Sequence, residues 1–420
     1  MKKLYRKIMS LPLWLRGIVV TLLAFLISWI AVYDLMSVSF FSPMEKAADF
    51  RFSDFYTLVA NDRAVKTLHP SIVIVAVDGC NRREIAATLD DINYCMPAAT
   101  GLDIAFSEPR DTLDDPLAEA IASFPGIILP VFAEETADGD YTVSHQSYYD
   151  RFAPDDALFA AVNIEGEKEA RFTVRGFLPL FPSTAESDAI PSLSYALVTK
   201  ASPGIAGEMS RRDFGSEALR YASREFEILS PDEILDNQEM IEGKIVIVGK
   251  VRDAGDLHST PLDNFTPGVL IHACAAATML DGDFTRRLTP VESWLIATVA
   301  CYLVVLLSLY LASHTLGDLI VRGIQLAALY LMILTGTLMY TRFNIDLDFA
   351  NAMLMTSLGV VACDLFNGIF ADDGILVLGQ EKIHGLIIHT KHITNEFYKK
   401  YIFKSVADSS ANDDGSIARP

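Results

Sequence analysis

Asp256 and His258 stand two residues apart in GDLHSTP (255–261), and His272, in PGVLIHA (267–273), opens the next helix. The first pair follows an apolar run, KIVIVG (244–249), that reads as a buried strand. In an open parallel sheet, loops that leave the strand ends line the crevice where ligands bind. A carboxylate with one or two imidazoles there can hold a metal or shuttle a proton. The plainer alternative has Asp256 bracing its loop and both histidines hydrogen-bonded. Asp78 follows IVIVAV (72–77), and Asp103 sits inside GLDIAF (101–106), so both end or interrupt what read as adjacent strands, with Glu108 next in line. Facing acids can do acid–base work or hold a cation; equally, they can accept loop N–H groups. These six residues are the candidate ligand-binding set. No nucleophile motif, phosphate-cradling glycine loop or metal-spaced Cys/His set accompanies them, so no catalytic residue, metal or cofactor is assigned.

Other residues carry weaker signals. Arg171, Arg175, Arg211 and Arg212 can meet an anion, or simply be solvated or ion-paired. Asp364 and Asn367 lie within an apolar stretch, where an acid is costly and faces protein or water. They are candidates for coupling between transmembrane helices, although Asp364 is near enough to one end to snorkel. His384, His389 and His392 lie in a partly amphipathic tail that reads as a docking or dimerisation helix. Asn264-Phe265-Thr266 fits a glycosylation sequon incidentally.

The elements that must position these residues follow from composition. The chain has 420 residues, 51% of them hydrophobic, a net charge of −20 and a mean hydropathy of +0.29. Residues 37–290 hold 21 basic and 41 acidic side chains, hence the whole charge excess, while the remainder is neutral and apolar. This split excludes a disordered chain, a basic nucleic-acid binder and a single soluble domain. Four segments suit a hydrocarbon core about 30 Å thick: 17–36, 294–312, 320–340 and 349–370. The first has no small-residue cleavage site after it and reads as an uncleaved anchor. Lys2, Lys3, Arg6, Lys7 and Arg16 place residues 1–16 in the cytoplasm by the positive-inside rule. Residues 37–290 are then external and the tail 371–420 cytoplasmic, in the inner membrane of the cell. Of the five cysteines, Cys301 and Cys363 fall in spans; Cys80, Cys95 and Cys274 are external, with a disulfide or buried thiols both open.

Within 37–290 the strand IVIVAV is followed by Asn81 as an N-cap and a helix over 82–92. A second strand is expected at 101–106, a helix from Asp115-Pro116, and a third strand at 127–132. A helix is expected from about Ser192 and another over 268–280. The apolar and aromatic stretch 44–61 suits a juxtamembrane helix. Strand–helix alternation with short connections predicts an α/β domain: a mixed, largely parallel sheet with helices on both faces.

The order of motifs resembles the type 2 CHASE family, extracellular sensory domains of bacterial receptors. The carrying blocks are DFRFSDF (49–55), IVIVAVD (72–78), GLDIAFSEP (101–109), Asn163, Arg171 with Pro179, SLSYAL (192–197), KIVIVG, GDLHSTP and PGVLIHA. Together they cover about residues 45–285, and a three-span exit matches the family's arrangement. The resemblance implies a sensor of a small ligand or envelope component. It departs from the family's pattern in that no kinase or cyclase follows the last span. The signal is therefore expected to pass to a separately encoded partner, with membrane lipid as solvent and a homodimer expected by analogy. Two other readings stay open: an envelope assembly protein docking a partner through the acidic domain, and a membrane-anchored hydrolase.

Overall fold

The computed structural model of the chain describes residues 10–37, 49, 51–110, 114–164, 173–183, 189–209, 211, 215–221, 223–312 and 317–370. Arg171, Arg212, the tail with its three histidines, and most of 44–50 lie outside these. The chain divides into two compact units. The first comprises 1–39, 291–331 and 351–420; the second comprises 40–290 together with 332–350.

The second unit is built on a seven-stranded sheet. Its strands are β1 (Thr67–Ala76), β2 (Ala99–Leu102), β3 (Ile128–Glu135), β4 (Tyr141–Ser144), β5 (Leu158–Ala161), β6 (Arg224–Leu229) and β7 (Ile245–Gly249). The order is β6-β1-β7-β2-β3, with β4 antiparallel and β5 parallel on β3. Every other pairing is parallel. The register sets Ile74 beside Ile247 and Ile247 beside Gly101. The sequence-based expectation of a largely parallel sheet therefore holds, with two corrections. Asp78 and Asp103 do not follow adjacent strands, because β7 lies between β1 and β2. The second strand is also shorter than expected: it ends at Leu102, and Asp103 already belongs to the loop.

Side chains alternate across a strand, so consecutive β-branched residues supply both faces. Ile72, Ile74, Ile245 and Ile247 pack with helices α5 (Leu193–Ala201) and α7 (Gly268–Leu280). Val73, Val75, Val246 and Val248 pack instead with α3 (Arg82–Tyr94) and α4 (Asp114–Ala122). Helix α3 starts as its sequence predicts: the Asn81 side chain accepts from the Arg83 and Glu84 amides, and Glu84 accepts from the Asn81 amide. Two glycines let helices lie close on the sheet. A Cβ on Gly101 would sit 2.7 Å from Leu193, and one on Gly249 would sit 2.8 Å from Val269. Helix α7 is apolar all round and almost wholly buried, as a helix inside a core must be.

Two further helices of this unit are α2 (Phe52–Arg63) and the short α6 (Pro203–Met209). The first unit contains α1 (Leu13–Ser37), α8 (Pro290–Leu311), the beginning of α9 (Gly317–Phe343) and α10 (Ala350–Phe370). All four are long and apolar enough to cross a membrane. Small residues bring them together: a Cβ on Gly359 of α10 would lie 3.0 Å from Cys301 Sγ of α8. Asp364 is ion-paired with Arg322 of α9 at 2.5 Å, which joins two of the four helices through charge. All five cysteines are free thiols.

Candidate functional site

The carboxyl ends of β1, β7 and β2 meet at one edge, and most of the expected site residues leave from there. Asp78 has a structural part. Its Oδ2 accepts from the Val251 amide at 3.0 Å and its Oδ1 from the Arg252 amide at 2.8 Å, so it pins the loop after β7. Glu108 does not join the acids: its main-chain carbonyl accepts from Arg82, and its side chain is exposed.

Asp103, Asp256, His258 and His272 do come together. The Asp103 side chain is 9% exposed and makes no hydrogen bond among the described residues; its Oδ1 lies 3.7 Å from His272 Nε2. Burial, reinforced by the nearby charge of Asp256, pushes its carboxyl well above the usual range. His272 projects from the first turns of α7 into the core. Its Nε2 faces the Val162 carbonyl at 3.3 Å and its Nδ1 faces Ser194 Oγ at 3.5 Å. A carbonyl can only accept, so the ring proton sits on Nε2. Burial lowers the imidazole to about 4, leaving it neutral at neutral pH. Asp256 Oδ1 meets His258 Nε2 at 3.1 Å, both partly exposed. The Asp256 carboxylate lies so close to the start of α7 that a Cβ on Gly268 would stand 2.6 Å from its Oδ2. The glycine of PGVLIHA thus has a steric reason. No group of three His, Cys, Asp or Glu side chains is arranged to hold a metal ion among the described residues.

A second concentration of charge escaped the sequence reading. A cavity of about 620 Å³ opens where α2, α7 and α9 end, lined by Arg63, His69, Arg220, Arg224, Asp281, Asp283, Thr341 and Arg342 among others. Arg224 Nη2 bonds Asp281 at 3.0 Å and Asp283 at 3.4 Å. Arg220 Nε bonds Asp283 at 3.2 Å, and its Nη1 donates to the Tyr340 carbonyl. His69 lies 3.4 Å from Asp281 and, with Arg224, helps hold that carboxyl below the usual range. Four separated segments supply these residues, so no local spacing announces the cavity.

Arg175 reads from sequence as an exposed group that meets an anion, is solvated or is paired at the surface. It is buried, and its anions are internal: Asp54 binds Nε at 2.6 Å and Nη2 at 2.8 Å, and Asp49 binds Nη1 at 2.8 Å. Arg287 Nη2 donates to the Arg175 carbonyl, and the Val174 amide donates to the Ser259 carbonyl. The acids of DFRFSDF, the arginine of RFTVRGF and the serine of GDLHSTP are therefore one connected network.

The domain is an α/β fold with a largely parallel sheet and helices on both faces, and the chain carries four helices long and apolar enough to cross a membrane. The family model of the CHASE2 domain matches residues 20–311, well over half of the chain, and the chain belongs to that family of sensory domains. No curated protein and no solved structure matches it.

Proposed function

We propose that the chain is a bacterial membrane sensor. Its CHASE2 domain lies outside the cytoplasm and detects a small ligand or envelope component at the sheet edge. The transmembrane helices pass the resulting state to a separately encoded partner. The basic N-terminus and an even number of spans support cytoplasmic termini at the cell membrane. An Asp103 carboxyl that is buried without a hydrogen bond supports ligand contact there, because such groups are costly to leave unpaired.

One observation carries the relay. The last turns of α9 and the loop after them, residues 332–350, belong to the α/β unit although the helix begins in the other. Thr57 and Tyr340 share a hydrogen bond of 2.8 Å, and the Tyr56 and Tyr340 rings lie 5.9 Å apart. Gly336 leaves room for the Tyr56 ring where a side chain would clash. Asn344 Nδ2 donates to Asp283 at 2.5 Å, and Arg286 and Arg287 pair with Ile345 and Asp346 as a short parallel ladder. A domain rearrangement that moves α2 or the 281–287 segment must therefore move the end of a membrane helix. Ligand binding that favours one of two such arrangements shifts the population of both.

The test is photo-crosslinking of the full-length protein in native membranes. A cytoplasmic partner should be captured by the wild type and lost when 371–420 are removed. Its yield should change with Asp103→Asn and with Tyr340→Ala. Absence of any tail-dependent partner, or a yield indifferent to both substitutions, refutes the relay.

A further inference from the structure

We infer that the cavity at the ends of α2, α7 and α9 binds a phosphate-bearing anion through Arg63 and Arg342. The other charges lining the cavity satisfy one another. Asp281 is engaged by His69 and Arg224, and Asp283 by Arg220, Arg224 and Asn344. Two guanidinium groups remain. Arg63 ends α2 and Arg342 lies in the last turn of α9; both are exposed on the cavity wall and have no partner among the described residues.

A cation at a helix C-terminus is favoured by the helix dipole, which accounts for one arginine per helix end. It does not account for two of them facing a common cavity in a chain that carries 54 acids against 34 bases. In the last turn of α9 the Tyr340 carbonyl is already taken by Arg220. Planar guanidinium forks match the oxygens of a phosphate and bind it in pairs. A volume of about 620 Å³ is ample for a phosphate ester with its attached group. Thr341 and Arg342 close a helix long and apolar enough to cross a bilayer, so the site falls at headgroup depth when α9 is inserted. An anionic phospholipid is one source of that chemistry, and a free phosphate ester is the other. The binding itself does not depend on the sensor reading.

Titration of the full-length protein in a neutral detergent decides it, with short-chain phosphatidylglycerol, short-chain phosphatidylcholine, glycerol 3-phosphate and inorganic phosphate as separate probes. Saturable binding of phosphatidylglycerol, weakened about tenfold or more by R63Q/R342Q, is the expected result. The variant replaces exposed side chains, so its unliganded melting temperature should match the wild type. R83Q/R252Q, which removes two exposed charges elsewhere on the domain, should bind as the wild type does. Equal loss of glycerol 3-phosphate or inorganic phosphate binding in R63Q/R342Q identifies a free phosphate as a source. The inference is overturned if no phosphate probe saturates, if phosphatidylcholine binds equally well, or if R63Q/R342Q is no weaker than R83Q/R252Q.

Discussion

Asp54 holds Arg175 with both carboxylate oxygens across 121 residues of sequence, and the guanidinium it holds is 4% exposed. This fork-to-fork pair fastens the start of helix α2 to the body of the α/β unit, as the Thr57–Tyr340 bond does further along. Asp49 adds a third charged contact and, through Oδ2, accepts from Thr173 Oγ1 at 2.6 Å.

Removing one partner of a buried ion pair strands the other charge, which costs about 3–5 kcal/mol. Asp54→Ala should therefore lower stability by an amount in that range. Asp49→Ala should cost less, because it leaves the bidentate bonds of Asp54 intact. Chemical denaturation of the two variants side by side checks the order; equal losses would show that Asp54 is not the principal anchor.

Gly268→Ala places a methyl group 2.6 Å from Asp256 Oδ2. Crowding of this kind destabilises by about 1–3 kcal/mol. Truncating the obstacle should relieve it, so Gly268→Ala should cost less in an Asp256→Ala background than alone. A double-mutant cycle measures the coupling, and strict additivity would mean that the carboxylate simply swings away.

Asp346 is buried and lifted to about 6 by desolvation, against the opposing pull of Arg287. A raised carboxyl favours folding below its unfolded value of 3.8, and that contribution is lost as pH rises to about 6. Two units correspond to about 3 kcal/mol. The stability difference between wild type and Asp346→Asn should thus move by that order between pH 4 and 6 in favour of the variant, and be level above. His272 runs the other way. Its neutral form is favoured above 6.5, and the contribution is lost as pH falls to about 4. A flat difference curve for Asp346→Asn would place its carboxyl in water.

Arg322 and Asp364 join α9 and α10 through charge. A lone charge within an apolar helix costs more than a pair removed together. Arg322→Leu should reduce the protease-resistant fraction in membranes, and Arg322→Leu/Asp364→Leu should restore much of it. Restoration is the decisive reading; a double variant worse than the single one would mean that each charge has its own water or lipid partner.

Much of the α/β framework can be read from residue type alone. IVIVAV and KIVIVG are β-branched runs, and a strand buried on both faces has few other compositions available. Asn81 and Ser192 cap their helices where side-chain oxygens precede apolar periodicity. Neighbour order is a different matter, since alternation says which face a residue takes and nothing of which strand lies beside it. The place of β7 between β1 and β2 is therefore not legible in the sequence, and neither is β6, an edge strand whose charges hide it within a polar stretch. Of the candidate site, four residues converge because they leave neighbouring strand ends or the next helix. The Arg175 clamp joins residues 121 apart and the cavity's ion pairs join residues 57 to 212 apart, separations to which local spacing is blind. Two acids set among phenylalanines in DFRFSDF were the available hint, because acids in so apolar a stretch need a cation.

The α/β unit is discontinuous in the chain, and that has a consequence for how it can be made. Its last piece, 332–350, is synthesised only after α8 and most of α9. Until then Thr57, Arg220 and Asp283 lack Tyr340 and Asn344, the groups that complete their bonding. Closure of the domain therefore waits for α8 and most of α9, and only α10 follows it in the chain. An excised fragment ending at residue 290 is not the same object as the domain within the whole protein.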